Sequence, residues 1–133
     1  MPLREAIEAL AARARRDAES DFTSSDRTLF DEFKAALNRG EIRAAERRSD
    51  GTWSVNIWVK QGILLGFRMG KLVDLSSSPP LQFFDKDTFP LRPTTIADNV
   101  RIVPGGSSIR DGAYIAPWRG LHAANVCERG RLR

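Results

Sequence analysis

Apolar residues recur at helical spacing over the first forty positions. Leu3, Ile7, Leu10, Ala11 and Ala14 lie three or four apart, with acids and arginines between them. That pattern predicts an amphipathic helix over residues 3–18. Ser20 to Ser25 is polar and turn-like, and Asp26 opens a second helix with Leu29, Phe30, Phe33 and Leu37 on one face. Gly40 is a natural C-terminal stop for it. Stripes of this kind belong to a core more often than to a docking helix, and both are read as core.

The pattern then shortens. Ile42 to Arg47 suits a brief strand that turns at Asp50-Gly51. Trp53 to Phe67 fits a third helix with Val55, Trp58, Val59, Ile63 and Phe67 on a shared face, although Ile63-Leu64-Leu65 reads equally as strand. Leu72 to Leu75 looks like a strand and Ser76 to Pro80 like a loop, followed by a proline-punctuated stretch around Phe83-Phe84-Asp85-Lys86. This describes a helix-rich α/β head of roughly a hundred residues.

From Arg101 to Pro117 the period changes to six, with Val103, Ile109 and Ile115 as its aliphatic positions and small Ala113 between. Hexapeptide coils of a parallel β-helix are written this way, with aliphatic residues inward and small ones at the corners. Only one turn of such a stack is present, so its apolar face needs a neighbour.

Composition narrows the classes. The chain has 133 residues, enough for one modest core. No apolar run approaches a membrane span, and Met1 to Glu5 is charged rather than secretory in character. A single cysteine cannot form an internal disulfide, which suits a cytoplasmic location. The net charge is +4, and residues 118–133 supply most of it through Arg119, Arg129, Arg131 and Arg133 against Glu128. The remainder is nearly neutral, so a phosphate-tracking stripe would have to lie in this tail.

Candidate chemistry is sparse. His122 and Cys127 are the sole histidine and cysteine, too few to ligate zinc and with nothing to position them as a nucleophile pair. Gly105-Gly106 is a turn rather than a phosphate loop. Trp53, Trp58 and Lys60 could form a stacking platform with a basic contact, but Trp58 shares a face with Val55 and Ile63 and is read as buried. Asp85-Lys86 is read as structural.

Several segments together resemble one known family. They are Gly40 to Glu46, Trp53, Trp58 to Lys60, Leu64 to Arg68, Phe83 to Lys86, Arg101 to Pro104 and Gly112 to Pro117. From about Asp26 to Pro117 the chain is similar to the N-terminal part of the tetrahydrodipicolinate N-succinyltransferases. The resemblance implies an α/β head at residues 1–100, then the first coil of a left-handed parallel β-helix at 101–117. It also implies a homotrimer and an acyltransferase of diaminopimelate and lysine biosynthesis. In that family succinyl-CoA is the co-substrate and tetrahydrodipicolinate the acceptor; no covalent cofactor is implied.

On the same basis Arg101, which precedes Ile-Val-Pro, would bind the dicarboxylate, and a guanidinium fork suits that task. The family's catalytic acid and CoA cleft lie further along and have no counterpart here. No catalytic, cofactor-binding or metal-binding residue is therefore assigned, and the chain alone is expected to be inactive. No nucleic-acid or membrane partner is expected.

Residues 118–133 depart from the family's continuation. Back-translated and read one nucleotide later, Trp118-Arg119-Gly120 can encode Gly-Val-Val, and Leu121 to Asn125 can encode Cys-Met-Pro-Pro-Met, as that continuation would. The expectation is an out-of-frame, disordered tail after Pro117 in which His122, Cys127 and the arginines have no function. The alternative is a small basic nucleic-acid-binding or protein-interaction domain.

Overall fold

The computed structural model describes residues 1–76, 82–104 and 106–117, together with the backbone of 119–121 and 127–129. Three helices carry the core. Helix α1 spans Leu3–Arg16, α2 Ser24–Asn38 and α3 Ile57–Met69. The predicted stripes on the first two turn inward, since Ile7, Leu10, Ala11 and Ala14 of α1 and Phe30, Phe33 and Leu37 of α2 are buried.

Helix α2 begins in a capping box. The Thr23 backbone N–H donates to Asp26 Oδ2 at 2.8 Å, and the Asp26 N–H donates to Thr23 Oγ1 at 3.2 Å. These bonds satisfy donors that the helix itself cannot pair. Arg13 of α1 also pairs with the Asp26 carboxylate, which ties the two helices together. Burial raises the Asp26 pKa, but the Thr23 backbone bond, the Arg13 guanidinium and the Thr23 hydroxyl outweigh it and hold the carboxyl below its ordinary range.

The third helix departs from expectation in both extent and face. Trp53–Val55 is a strand, β2, which pairs antiparallel with β1 (Ala45–Arg47); Trp53 and Val55 are exposed. The helix starts only at Ile57, and the positions it buries are Val59, Gly62, Leu65, Gly66 and Met69. A Cβ added at Gly62 would sit 2.4 Å from the Phe33 ring, and one at Gly66 would sit 2.4 Å from the rings of both Phe30 and Phe89. The aromatic rings of α2 thus occupy the space that side chains on α3 would need. Glycine contributes nothing to an apolar count, so the buried face was invisible to a search for apolar periodicity. Trp58 is half-buried, edge-on to Phe33 with ring centroids 6.1 Å apart.

Carbonyls at the helix ends are met by side chains from elsewhere. Arg68 of α3 donates to Ala14 O, to Asp17 O at 3.1 Å and to Ala18 O at 2.7 Å, closing the C-terminus of α1. At the end of α3, buried Thr88 donates through Oγ1 to Gly66 O at 2.7 Å, and Arg27 donates to Met69 O at 3.3 Å. Gly66 O also accepts from the Gly70 N–H at 3.0 Å, so Thr88 is its second donor, while the partners of the other carbonyls replace water at groups near the helix ends.

Past α3 the sheets are small. Strand β3 (Leu72–Asp74) pairs antiparallel with β4 (Phe84–Lys86), and one 3₁₀ turn covers Ile96–Asp98. The Ser76–Pro80 loop expected from sequence lies outside the described residues beyond Ser76.

The 101–117 segment is strand only at Arg101–Ile102, β5, and no β-helix coil is formed among the described residues. Of its six-spaced positions Ile109 is buried, while Val103 and Ile115 are half-buried. A coil persists when rungs stack on it; here Ile109 is buried next to the bridge between Leu91 and Arg110. Strand β5 pairs in parallel with β6 (Arg119–Leu121), which pairs antiparallel with β7 (Cys127–Arg129). Strand backbone therefore occupies those parts of the tail that are described, where disorder was expected, and the remaining tail residues lie outside them.

Candidate functional site

Arg101 stands at the start of β5, on a long excursion that leaves the head and returns to it. Leu91 and Arg110 form an antiparallel bridge at the base of this loop. Two backbone bonds complete the base: Arg92 N–H to Ile109 O at 2.9 Å, and Asp111 N–H to Pro90 O at 2.8 Å. Successive side chains of an extended strand alternate in direction. Ile102 accordingly lines a cleft of about 340 Å³, floored by Leu75, Phe83, Leu91 and Ile109, whereas Arg101 does not line it. The Arg101 residue is exposed and takes part in no ion pair among the described residues.

The acids of this region are occupied. Asp85 Oδ2 accepts from Arg110 at 2.6 Å, and Arg110 also donates to Phe89 O at 2.7 Å. Asp111 pairs with Lys34 at 3.1 Å and accepts from the Asn38 amide at 2.5 Å. Carboxylates engaged in this way act as struts. Among the described residues no group of three or more His, Cys, Asp or Glu is placed to hold a metal ion. The cleft is lined by Arg92 and Arg110 as well as by apolar side chains, and exposed Arg101 adjoins it through its neighbour Ile102.

His122 lies outside the described residues, and Cys127 is described only as backbone within β7. Asp85 pairs with Arg110, and Lys86 donates to Gly70 O at 3.2 Å. Lys34, Asn38 and Asp111 were not singled out from sequence. Asn38 and Asp111 are 73 residues apart, and no local pattern signals their meeting.

Residues 2–69, just over half of the chain, match the model of the family described as tetrahydrodipicolinate N-succinyltransferase N-terminal. The chain belongs to that family. Curated proteins named 2,3,4,5-tetrahydropyridine-2,6-dicarboxylate N-succinyltransferase are among its relatives. The one from Alkalilimnicola ehrlichii is 39% identical over 98 residues, covering 68% of this chain and 34% of the relative. That from Granulibacter bethesdensis is 33% identical over 119 residues, covering 86% of this chain and 42% of its own length. The Sinorhizobium fredii protein is 35% identical over 109 residues, covering 76% and 38% respectively.

The chain thus spans between a third and somewhat over two fifths of the succinyltransferases it matches. The family model covers all three helices, and the alignment lengths to the Granulibacter and Sinorhizobium succinyltransferases exceed the 68 residues of that match. Among the described residues no helix is long and apolar enough to cross a membrane.

Proposed function

We propose that this chain is the N-terminal head of an N-succinyltransferase that moves succinyl from succinyl-CoA to tetrahydrodipicolinate in diaminopimelate and lysine biosynthesis. The observation that carries this reading is the family match over the three-helix core, joined to relatives named for that reaction. Arg101 is assigned to one carboxylate of the acceptor. Its exposure supports that role, and among the described residues it takes part in no ion pair, so its guanidinium can take a carboxylate from a ligand.

The same reading extends to a homotrimer in the cytoplasm and to residues 101–117 as the lead-in to a left-handed hexapeptide β-helix, with 118–133 as an out-of-frame continuation. Coding DNA whose shifted reading carries no further six-residue repeats would overturn the last point. Transfer needs an acid or base at the reacting amine and a cleft for CoA, and neither is assigned to this chain. A thiol-release assay with succinyl-CoA and tetrahydrodipicolinate should therefore show no turnover by the chain alone. Pyridine-2,6-dicarboxylate should bind weakly by calorimetry and lose that binding in Arg101→Ala; equal binding by the variant would remove Arg101 from the site.

A further inference from the structure

The Arg101 loop leaves the head at Arg92 and returns at Ile109, and its base is held by polar contacts from two separate elements. From α2, Lys34 Nζ pairs with Asp111 at 3.1 Å and donates to Thr88 O at 2.9 Å, with its side chain only 12% exposed. One turn on, Asn38 is bonded on both sides of its amide. Its nitrogen donates to Asp111 Oδ1 at 2.5 Å, and its oxygen accepts from the Gly112 N–H at 2.7 Å. From β4, Asp85 pairs with Arg110 at 2.6 Å.

Beyond this cluster the Tyr114 ring lies against Gly40 and beneath the Arg43 guanidinium, 5.0 Å from the ring centroid. Gly112 has a φ of +103°, and Gly40 one of +70°. The return segment is thus set in a particular backbone conformation where it meets α2.

We propose that Asp111 is a positioning residue. With Lys34 and Asn38 it locks the base of the Arg101 loop onto α2, so that Arg101 is presented in one orientation to the head. The physical basis is loop closure: with both ends pinned, the excursion samples far fewer arrangements than a strand hanging from a linker. Asp111 is the shared element of the lock. It joins a largely buried ammonium to an amide that also holds the next backbone N–H, and removing it leaves Lys34 only the longer pair with exposed Asp31 at 3.6 Å. The inference rests on the proposed role of Arg101 only for its consequence, not for the lock itself.

The test uses the complete 133-residue chain. Amide hydrogen exchange is measured at residues 101–103 and 106–116 and, as an internal reference, in α1–α3. Asp111→Ala should speed exchange in those two stretches by about tenfold or more, with the core helices nearly unchanged. Asp111→Asn, which keeps an acceptor for Asn38, should recover part of the protection. Asn38→Ala reports on the same lock through the other partner, should the first variant fold poorly.

Binding of pyridine-2,6-dicarboxylate should weaken in Asp111→Ala alongside the faster exchange. Unchanged exchange in both Asp111→Ala and Asn38→Ala, or unprotected amides at 106–116 in the native chain, would overturn the lock. So would faster exchange with dicarboxylate affinity retained, since Arg101 would then need no positioning. If the native chain binds no dicarboxylate, the reading of Arg101 falls, while exchange at Asp111, Gly112 and Ala113 still decides whether the loop is held.

Discussion

The three-helix core and the loop that carries Arg101 are held by different physics. In the core, the rings of Phe30, Phe33 and Phe89 fill the space left by Gly62 and Gly66, and each apolar residue touches several others. Among its described residues the loop buries one large apolar side chain, Ile109, and is otherwise placed by a few polar contacts around Asp85, Arg110, Lys34, Asn38 and Asp111. Apolar packing is non-directional and redundant, so it sets how tightly elements associate. Polar contacts are few and directional, so each sets an orientation and has little to replace it. A segment that must aim a side chain is served by the second kind.

Truncating the core should have the largest effect. Phe33→Ala empties the volume that Gly62 leaves open, and should lower unfolding free energy by about 3–5 kcal/mol in a urea titration. A loss below about 1 kcal/mol would mean that the core is not jigsaw-packed at this ring. Next comes Arg68→Ala, which strips donors from three carbonyls at the end of α1. Water can reach part of that site, so the cost should be about 1–2 kcal/mol, with fraying of α1 detected by amide exchange near Arg13.

Acid should act more gently on the same half of the molecule. The Asp26 pKa is lower in the folded chain than its ordinary 3.8. As pH falls the unfolded state therefore takes up this proton first. Its contribution is complete above about pH 4 and is lost progressively below that, as pH falls through the folded value. Thermal melts from pH 6 to pH 2 should show this loss, and Asp26→Asn should flatten that limb; an unaltered limb would place the acid sensitivity elsewhere. The smallest expected effect on stability is that of Arg101→Ala, within about 0.5 kcal/mol, because the residue is exposed and supports no packing. A larger loss would show that Arg101 belongs to the frame rather than to the ligand grip.

Legibility in the sequence followed the same division. Helices α1 and α2 were readable to within two residues at all four of their ends, because side chains three and four apart must share a helical face whatever surrounds them. The prediction for α1 ran slightly past Arg16, to residue 18. The third helix was readable as a helix but not by its buried face, since glycines mark close approach only once the opposing rings are known. Arg101 was singled out by resemblance, and the structure adds that the residue is exposed. The contacts that hold its loop were not readable at all.

The chain alone determined the existence of the first two helices and their core faces, the balance of charge, and the family that its head resembles. Those properties depend on local spacing and composition, which folding cannot rearrange. Tertiary structure decided which face of α3 is buried, where Ile109 goes, and which acids meet which bases. Each of these depends on bringing together residues far apart in the chain, such as Asn38 with Asp111 or Asp85 with Arg110, and no local pattern encodes that juxtaposition.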